Sequence, residues 1–347
     1  MTTVAVVGTG WRAAYFWRAA AVVGMPCVGV VSRSARDVGL PVFATLEDCL
    51  ARARPDLVVV AVPPAQTPDV LRPCVSAGVP VLAETPPAPD VDGLRALWAD
   101  VGGSGLVQVA EQYPLLPSHA ARLALVASGA IGTPTQVQVS STHGYHAVAL
   151  VRAYLGAGCG PVTVRASTTT APLVDPLDRD GWTGDDTPRA ATTTIATLDL
   201  GSDGSGLYDF TEGQWHNQLR FRRILVRGSR GELRDDVVRL VRRETVVRSR
   251  IERRQTGYDL DLDGFDTDHL THGSDMLYRN PFGGHRLADE EIAIATLLQR
   301  AAEWVRGVGP APYPLAQGCQ DQLVALAVER AAATGETVTT AVEPWAG

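Results

Sequence analysis

Five short apolar runs, each closed by a turn and followed by a helix-patterned stretch, fill the first part of the chain: VAVV (4–7), CVGVVSRS (27–34), LVVVAVPP (57–64), VPVLAETPP (79–87) and LVQVAEQYP (106–114). Continuous apolar runs that alternate with helices have to be buried on both sides, which only a parallel sheet covered by helices on each face provides. Beyond Tyr113-Pro114 the texture changes. A helix pattern (117–129), a strand (TQVQVSS) and an apolar helix (YHAVALVRAYLG) lead into stretches of period two, among them VTVRASTTT, ATTTIATLDL, ILVRGSRGELRDD, VVRLVRR and TVVRSRI. Alternation broken by Gly and Asp turns predicts an antiparallel sheet with one solvated face. Helical patterns return over 287–305 and 319–335. The 347 residues exceed what one core usually supports. The expected architecture is α/β: an N-terminal doubly wound parallel sheet of the Rossmann type (residues 1–118), followed by an α+β domain (119–347) with a large, mainly antiparallel open sheet.

Charge narrows the partners. With 38 acids against 31 bases the net charge is −7, which argues against nucleic acid or an anionic membrane as the main partner. Thirteen arginines fall within residues 220–254, but interleaved acids and the period-two pattern read as a solvated sheet face or a subunit contact. No apolar run approaches the 18 or so residues of a membrane span. The five cysteines show no CxxC or Cys/His ligand spacing, so no metal site is expected. The reading is a cytoplasmic protein, entering its first strand directly after Met-Thr-Thr. All 31 basic residues are arginine. The chain has no lysine.

VAVVGTGWRAAYF places Gly8, Gly10 and Ala13 in G-x-G-x-x-A spacing between a strand and a helix. The first glycine permits the tight turn, the second lets backbone approach a pyrophosphate, and the alanine keeps helix and strand close. Thr9, Trp11 and Arg12 share the turn, and Trp11 reads as a lid or a packing residue. Further cofactor contacts are expected at the strand ends, from Pro63, Pro64, Glu84 and Thr85. In NAD-binding versions an acid about 20 residues on bonds the ribose 2′-hydroxyl. Here that place reads Ser32-Arg33-Ser34. A guanidinium and two hydroxyls suit a 2′-phosphate, so NADP(H) is expected, with NAD(H) as the alternative.

PDLVVVAVPP, a helix and then AGVPVLAETPPA closely resemble the third and fourth units of the glucose-fructose oxidoreductase, inositol dehydrogenase and rhizopine-catabolism enzymes, the Gfo/Idh/MocA family. SGAIGTPTQVQV, RGSRGELRDD, LADEEIAIATLLQRAAEWVRG and AAATGETV extend the resemblance over nearly the whole chain. It implies a Rossmann domain and a second domain whose open sheet carries substrate and subunit contacts, hence a homodimer or homotetramer. Family members usually carry Glu-Lys-Pro where this chain reads Glu84-Thr85-Pro86. They also carry an Asp-x-Gly-x-His-x-x-Asp motif, of which Gly144 and His146 remain while both acids are replaced by Thr142 and Ala149. A positioned acid or base is worth about 10²- to 10⁴-fold, and Thr85 is too weak an acid to replace an ammonium.

The candidates that remain are His146 and Tyr113 as catalytic groups, with His143 and Tyr145 as substrate contacts. The expected activity is an NADP(H)-dependent oxidoreductase moving hydride between nicotinamide and a small polar substrate, with reduction of C=N or C=O favoured. The thiazolinyl imine reductases of siderophore assembly are similar in lacking that lysine and in keeping a Tyr-Pro. The alternatives are a sugar or cyclitol dehydrogenase with its acid/base relocated, and an NADP-binding sensor without turnover.

Overall fold

The structure is a computed structural model that describes residues 1–33, 38–178, 180–257 and 264–347. The N-terminal sheet is built from β1 (Val4–Val7), β2 (Cys27–Val31), β3 (Val42–Phe43), β4 (Leu57–Val60), β5 (Val81–Ala83) and β6 (Val107–Val109), in the parallel order β3-β2-β1-β4-β5-β6. Helices α1 (Trp11–Val22), α2 (Leu46–Ala53), α3 (Thr67–Ser76) and α4 (Val91–Val101) connect them. Every residue of β1, β4, β5 and β6 is buried, as continuous apolar strands in a covered parallel sheet must be. The two-residue edge strand β3 goes beyond the five runs legible in the sequence. It is too short to carry a period.

Register sets up the functional edge. Val31, Val7, Val60, Ala83 and Val109 pair in one row across the sheet. Gly8, Ser32, Ala61, Glu84 and Ala110 therefore leave the carboxyl edge side by side, where ligands of doubly wound sheets bind.

After α5 (Pro117–Ala127), β7 (Pro134–Ser140) and α6 (Gly144–Leu155), the second domain lays down β8 (Thr163–Leu173), β9 (Leu177–Asp178), β10 (Gly181–Trp182), β11 (Arg189–Asp199), β12 (Ser205–Thr211), β13 (Arg223–Gly228), β14 (Gly231–Arg234), β15 (Val237–Arg242), β16 (Thr245–Gln255), β17 (Thr267–His272) and β18 (Asp275–Arg279). Helices α7 (Asp289–Val305) and α8 (Leu315–Thr334) and the short β19 (Val338–Thr339) close the chain. An 11-stranded sheet results, in the order β18-β17-β16-β15-β14-β13-β7-β12-β11-β8-β19, and β9 pairs with β10 separately. Within the large sheet, neighbours run antiparallel except β7 with β12.

The two closing helices return to the first domain. On α7, Ile292, Ile294 and Leu297 share a core with Val4, Phe16 and Leu57. Helix α8 buries Leu315, Cys319 and Leu323 against the opposite face of the first sheet, and Val324 and Val328 in the core of the second domain. Its Gly318 lies so close to β6 that a Cβ there would meet Val109 Cγ2 at 2.6 Å. Helix α8 thus fixes β6 relative to α6. Their ends carry the residues considered next.

Candidate active site

The glycine turn has the form a dinucleotide requires. Gly8 holds φ +115°, in the region that favours glycine, and a Cβ there would collide with the Ala61 carbonyl. Gly10 is the N-cap of α1 and makes no side-chain cap, whereas Thr45 and Asp90 cap α2 and α4 through their side chains. Among the described residues, a Cβ built on Gly10 would meet nothing within 4 Å, which leaves the α1 amides room for an anion on that side. Ala13 is fully buried against the sheet. Thr9 Oγ1 lies 3.5 Å from Ser32 Oγ across the turn. Trp11 is exposed, its ring edge-on to Tyr15 at 4.8 Å. Arg33 stands exposed at the end of β2 and has no ion-pair partner among the described residues. Ser34 lies outside them. Pro63 and Pro64 follow β4 along the same edge.

Arg12 reaches across this edge. Its Nε donates to Glu84 Oε1 and its Nη1 to Glu290 Oε1, the latter at 2.8 Å. The other oxygen of Glu84 accepts the Thr85 amide at 2.9 Å and the Thr85 hydroxyl at 3.3 Å. Glu84 is therefore a brace between the glycine turn and the end of β5, with neither oxygen left to act as a base. Tyr145, on the first turn of α6, donates to the Thr85 carbonyl at 3.4 Å.

Behind Thr85 the aromatic candidates converge. The Tyr113 and His146 rings lie 4.3 Å apart, Tyr145 and His146 4.4 Å, and His143 and His146 5.4 Å. His146 is buried, and its Nδ1 sits 2.6 Å from Oε2 of the buried Glu111. The other Glu111 oxygen accepts the Tyr113 amide at 3.0 Å. His146 Nε2 has no hydrogen-bond partner among the described residues, yet it is not among the sealed polar atoms. It is the open nitrogen of the ring. Burial sets the charge states: it pushes the Glu111 carboxyl up to about 8 and the His146 imidazole down to about 3. Burial likewise raises the Tyr113 phenol to about 12, so that Tyr113 stays protonated at neutral pH.

A cavity of about 510 Å³ opens on Tyr113, walled by Gln112, Arg122, Ser141, Trp215, Arg222 and Glu290 among others. Gln112 Oε1 and Ser141 Oγ are buried there without a hydrogen-bond partner among the described residues. Such orphaned atoms are uncommon, and a polar ligand would satisfy them. Of the sequence candidates only Tyr113 lines this cavity, with His146 and Tyr145 packed behind it.

Glu111 and Glu290 were not legible as site residues. Glu111 ends the same strand as Tyr113, and the carboxyl-edge rule that points to Tyr113 applies equally to it. Glu290 reads as an ordinary first-turn helix acid. His119 was also missed. Buried, its Nδ1 lies 2.9 Å from Tyr154 OH, and burial, with Arg122 and Arg222 nearby, pushes it down to about 3. The unfolded chain protonates this histidine near pH 6.5, while the fold keeps it neutral far lower. Its contribution is thus complete above pH 6.5 and lost as pH falls, by up to about 1.4 kcal/mol per unit. His143 and His146 act in the same sense and the buried carboxyls of Glu111 and Asp321 in the opposite one, so these largely offset each other and His119 sets the slope. Urea unfolding at pH 5 should show about 2 kcal/mol less stability than at pH 7, and His119→Asn should flatten that difference. An unchanged slope in the variant contradicts this assignment.

Comparison with known proteins agrees with this fold. Residues 2–111 match the sequence profile of the Gfo/Idh/MocA group, described as an oxidoreductase family with an NAD-binding Rossmann fold. No curated protein matches the chain. Solved structures share the fold over almost its full length. An oxidoreductase from Agrobacterium radiobacter in complex with NAD+, L-tartaric acid and magnesium superposes with a TM-score of 0.71 at 15% identity, covering 97% of this chain and 98% of that one. A myo-inositol dehydrogenase from Corynebacterium glutamicum gives 0.63 at 20% identity, covering 98% of each. The WlbA dehydrogenase from Bordetella pertussis, in complex with NADH and UDP-GlcNAcA, gives 0.66 at 16% identity, covering 99% and 98%. The family match is confined to the N-terminal dinucleotide-binding domain, which is similar to that of the Gfo/Idh/MocA oxidoreductases, while the solved structures share the fold of the whole chain.

Proposed function

We propose that the protein is an NADP(H)-dependent reductase of a C=N or C=O bond in a small polar substrate. The observation that carries this reading is the meeting of Tyr113, His146 and Glu111 behind Thr85, at a place where the family's usual lysine is absent and a polar cavity opens. Gly8, Thr9, Gly10, Trp11, Arg12 and Ala13 form the turn that would receive the pyrophosphate, and the uncapped start of α1 and the open space at Gly10 fit it. Ser32 and Arg33 would hold the adenosine ribose, and Pro63, Pro64, Glu84 and Thr85 would wall the nicotinamide. When bound, the nicotinamide supplies the hydride.

The chain's own groups then divide the remaining work. Tyr113 faces the cavity with a phenol that burial holds neutral, suited to donate a hydrogen bond to the substrate nitrogen or oxygen as negative charge develops there. His146 is the group with an open nitrogen to supply the proton. His143 and Tyr145 flank it as substrate contacts.

The cofactor preference rests on Arg33, exposed where an NAD-binding chain usually places an acid. Arg33→Ala should weaken NADPH by about 10-fold or more, the loss of one charge-assisted phosphate contact, and leave NADH nearly unchanged. Titration calorimetry with both cofactors checks this. Wild-type protein that binds NADH more tightly than NADPH contradicts it. The activity itself is tested by following NADPH oxidation over a panel of cyclic imines, imino acids and ketones, beside NADP+ reduction with sugars and cyclitols. Turnover confined to the sugars and cyclitols would replace this reading with a dehydrogenase.

A further inference from the structure

We propose that Glu111 is the proton-holding residue of this site: as a neutral carboxylic acid it passes its proton to His146 Nδ1 while His146 Nε2 passes its own to the substrate. This rests on the reduction proposed above. It answers a difficulty that the reduction raises. A neutral imidazole gives up its remaining proton only if another arrives on the opposite nitrogen, because the imidazolate is far too basic.

The geometry supplies that second proton. Glu111 Oε2 and His146 Nδ1 are 2.6 Å apart, with both side chains buried. Glu111 has no guanidinium partner among the described residues, and its Oε1 is tied to the Tyr113 amide. An unpaired carboxylate at such a depth is costly, so the carboxyl is favoured as the neutral acid. On the far side of the ring Nε2 has no partner among the described residues and is not sealed from solvent. One nitrogen faces the store and the other has no partner among the described residues.

Other charged and titratable groups surround the pair without replacing either member. Arg12 on α1 is taken up by Glu84 and Glu290. Asp321 on α8 is paired with Arg152 and with Tyr313. Tyr113, Tyr145 and His143 meet the His146 ring by ring contact.

The step balances. Two electrons and one hydrogen reach the substrate carbon from the nicotinamide, forming a C–H bond, and the π pair of C=N or C=O moves onto nitrogen or oxygen. That atom forms its new bond to hydrogen as the His146 Nε2–H bond breaks. At the same time the Nδ1–H bond forms and the Glu111 O–H bond breaks. The dyad ends with Glu111 as carboxylate and His146 neutral, now protonated on Nδ1. One proton from water restores it.

Glu111→Gln tests this, since glutamine keeps a polar partner for His146 and carries no transferable proton. Infrared difference spectra of the unliganded wild-type protein, stepped through pH, should show a protonated-carboxyl C=O band at neutral pH. The band should fade as pH rises through about 8 and be absent in Glu111→Gln. Saturated with NADPH and substrate, the variant should lose about 10²-fold in kcat with KM little changed. The alkaline limb of the wild-type rate profile should vanish with it, and Glu111→Asp should recover part of the rate. If Glu111→Gln fails to fold, the wild-type band and the Glu111→Asp profile decide. Wild-type protein that reduces a substrate yet shows no such band, or a Glu111→Gln enzyme as fast as wild type, overturns the proposal and leaves the reduction standing. A wild-type protein that shows the band and reduces nothing on the panel overturns the reduction and the relay together.

Discussion

Arg152→Met is expected to cost about 3–5 kcal/mol of folding stability, the usual loss when one partner of a buried ion pair is removed. Arg152 on α6 and Asp321 on α8 are both almost fully buried, 2.5 Å apart. The same guanidinium donates to Gln317 Oε1 at 2.6 Å and to the Gly158 carbonyl at 3.1 Å, and Tyr313 OH donates to the other Asp321 oxygen at 2.5 Å. Burial pushes the Asp321 carboxyl up to about 6 even with Arg152 beside it, so the carboxylate left behind would be strongly disfavoured. Against a typical total of about 5–15 kcal/mol, the loss could remove most of the stability. Adding Asp321→Asn, which removes the orphaned charge and keeps an acceptor for Tyr313, should restore a large part of it. Urea denaturation of both variants measures the cycle, and a single-variant loss below about 1 kcal/mol would show that the pair contributes little. The site has a stake in the outcome. This clamp holds α6, which carries His146, to α8, which packs on β6 at Val109 just before Glu111.

His146→Ala and Tyr113→Phe are each expected to lower kcat by about 10²-fold or more while leaving NADPH affinity nearly unchanged. The two losses have different causes. Phenylalanine keeps the ring packed on His146 and removes the hydroxyl of a residue that lines the cavity, a change worth about 10²- to 10³-fold where such a donor meets developing charge. Alanine at 146 removes the proton path and strands Glu111 without its partner. Because both groups are held in one cluster, the double variant should lose much less than the product of the single losses.

Much of this was legible in the chain before any coordinate. The alternation of VAVV, CVGVV, LVVV, VLA and VQV with helical stretches fixes a parallel sheet, and the spacing of Gly8, Gly10 and Ala13 fixes its glycine turn. The missing lysine at Thr85 and the retained His146 come from the family resemblance, and they locate the question the site poses. What stayed hidden depends on contacts between distant segments. Nothing in SGLYDFT shows that β12 lies parallel to β7 inside an otherwise antiparallel sheet. Glu111 and His146 are separated by 35 residues, belong to different domains' elements, and share no period. Arg12 reads as one more residue of the cofactor turn, yet the fold spends it on Glu84 and Glu290. Side chains whose role is set by a partner across the fold leave no local pattern.

The central claim, that the proton comes through His146 in a chain without lysine, is tested most directly by single-turnover oxidation of bound NADPH. Wild type and His146→Ala would be mixed with whichever imine or ketone the wild type accepts. The account predicts wild-type turnover and a rate about 10²-fold or more lower in His146→Ala, with the NADPH dissociation constant unchanged. Equal rates in the two proteins would contradict it. So would a wild type inert toward every compound that gains cyclitol oxidation only on Thr85→Lys.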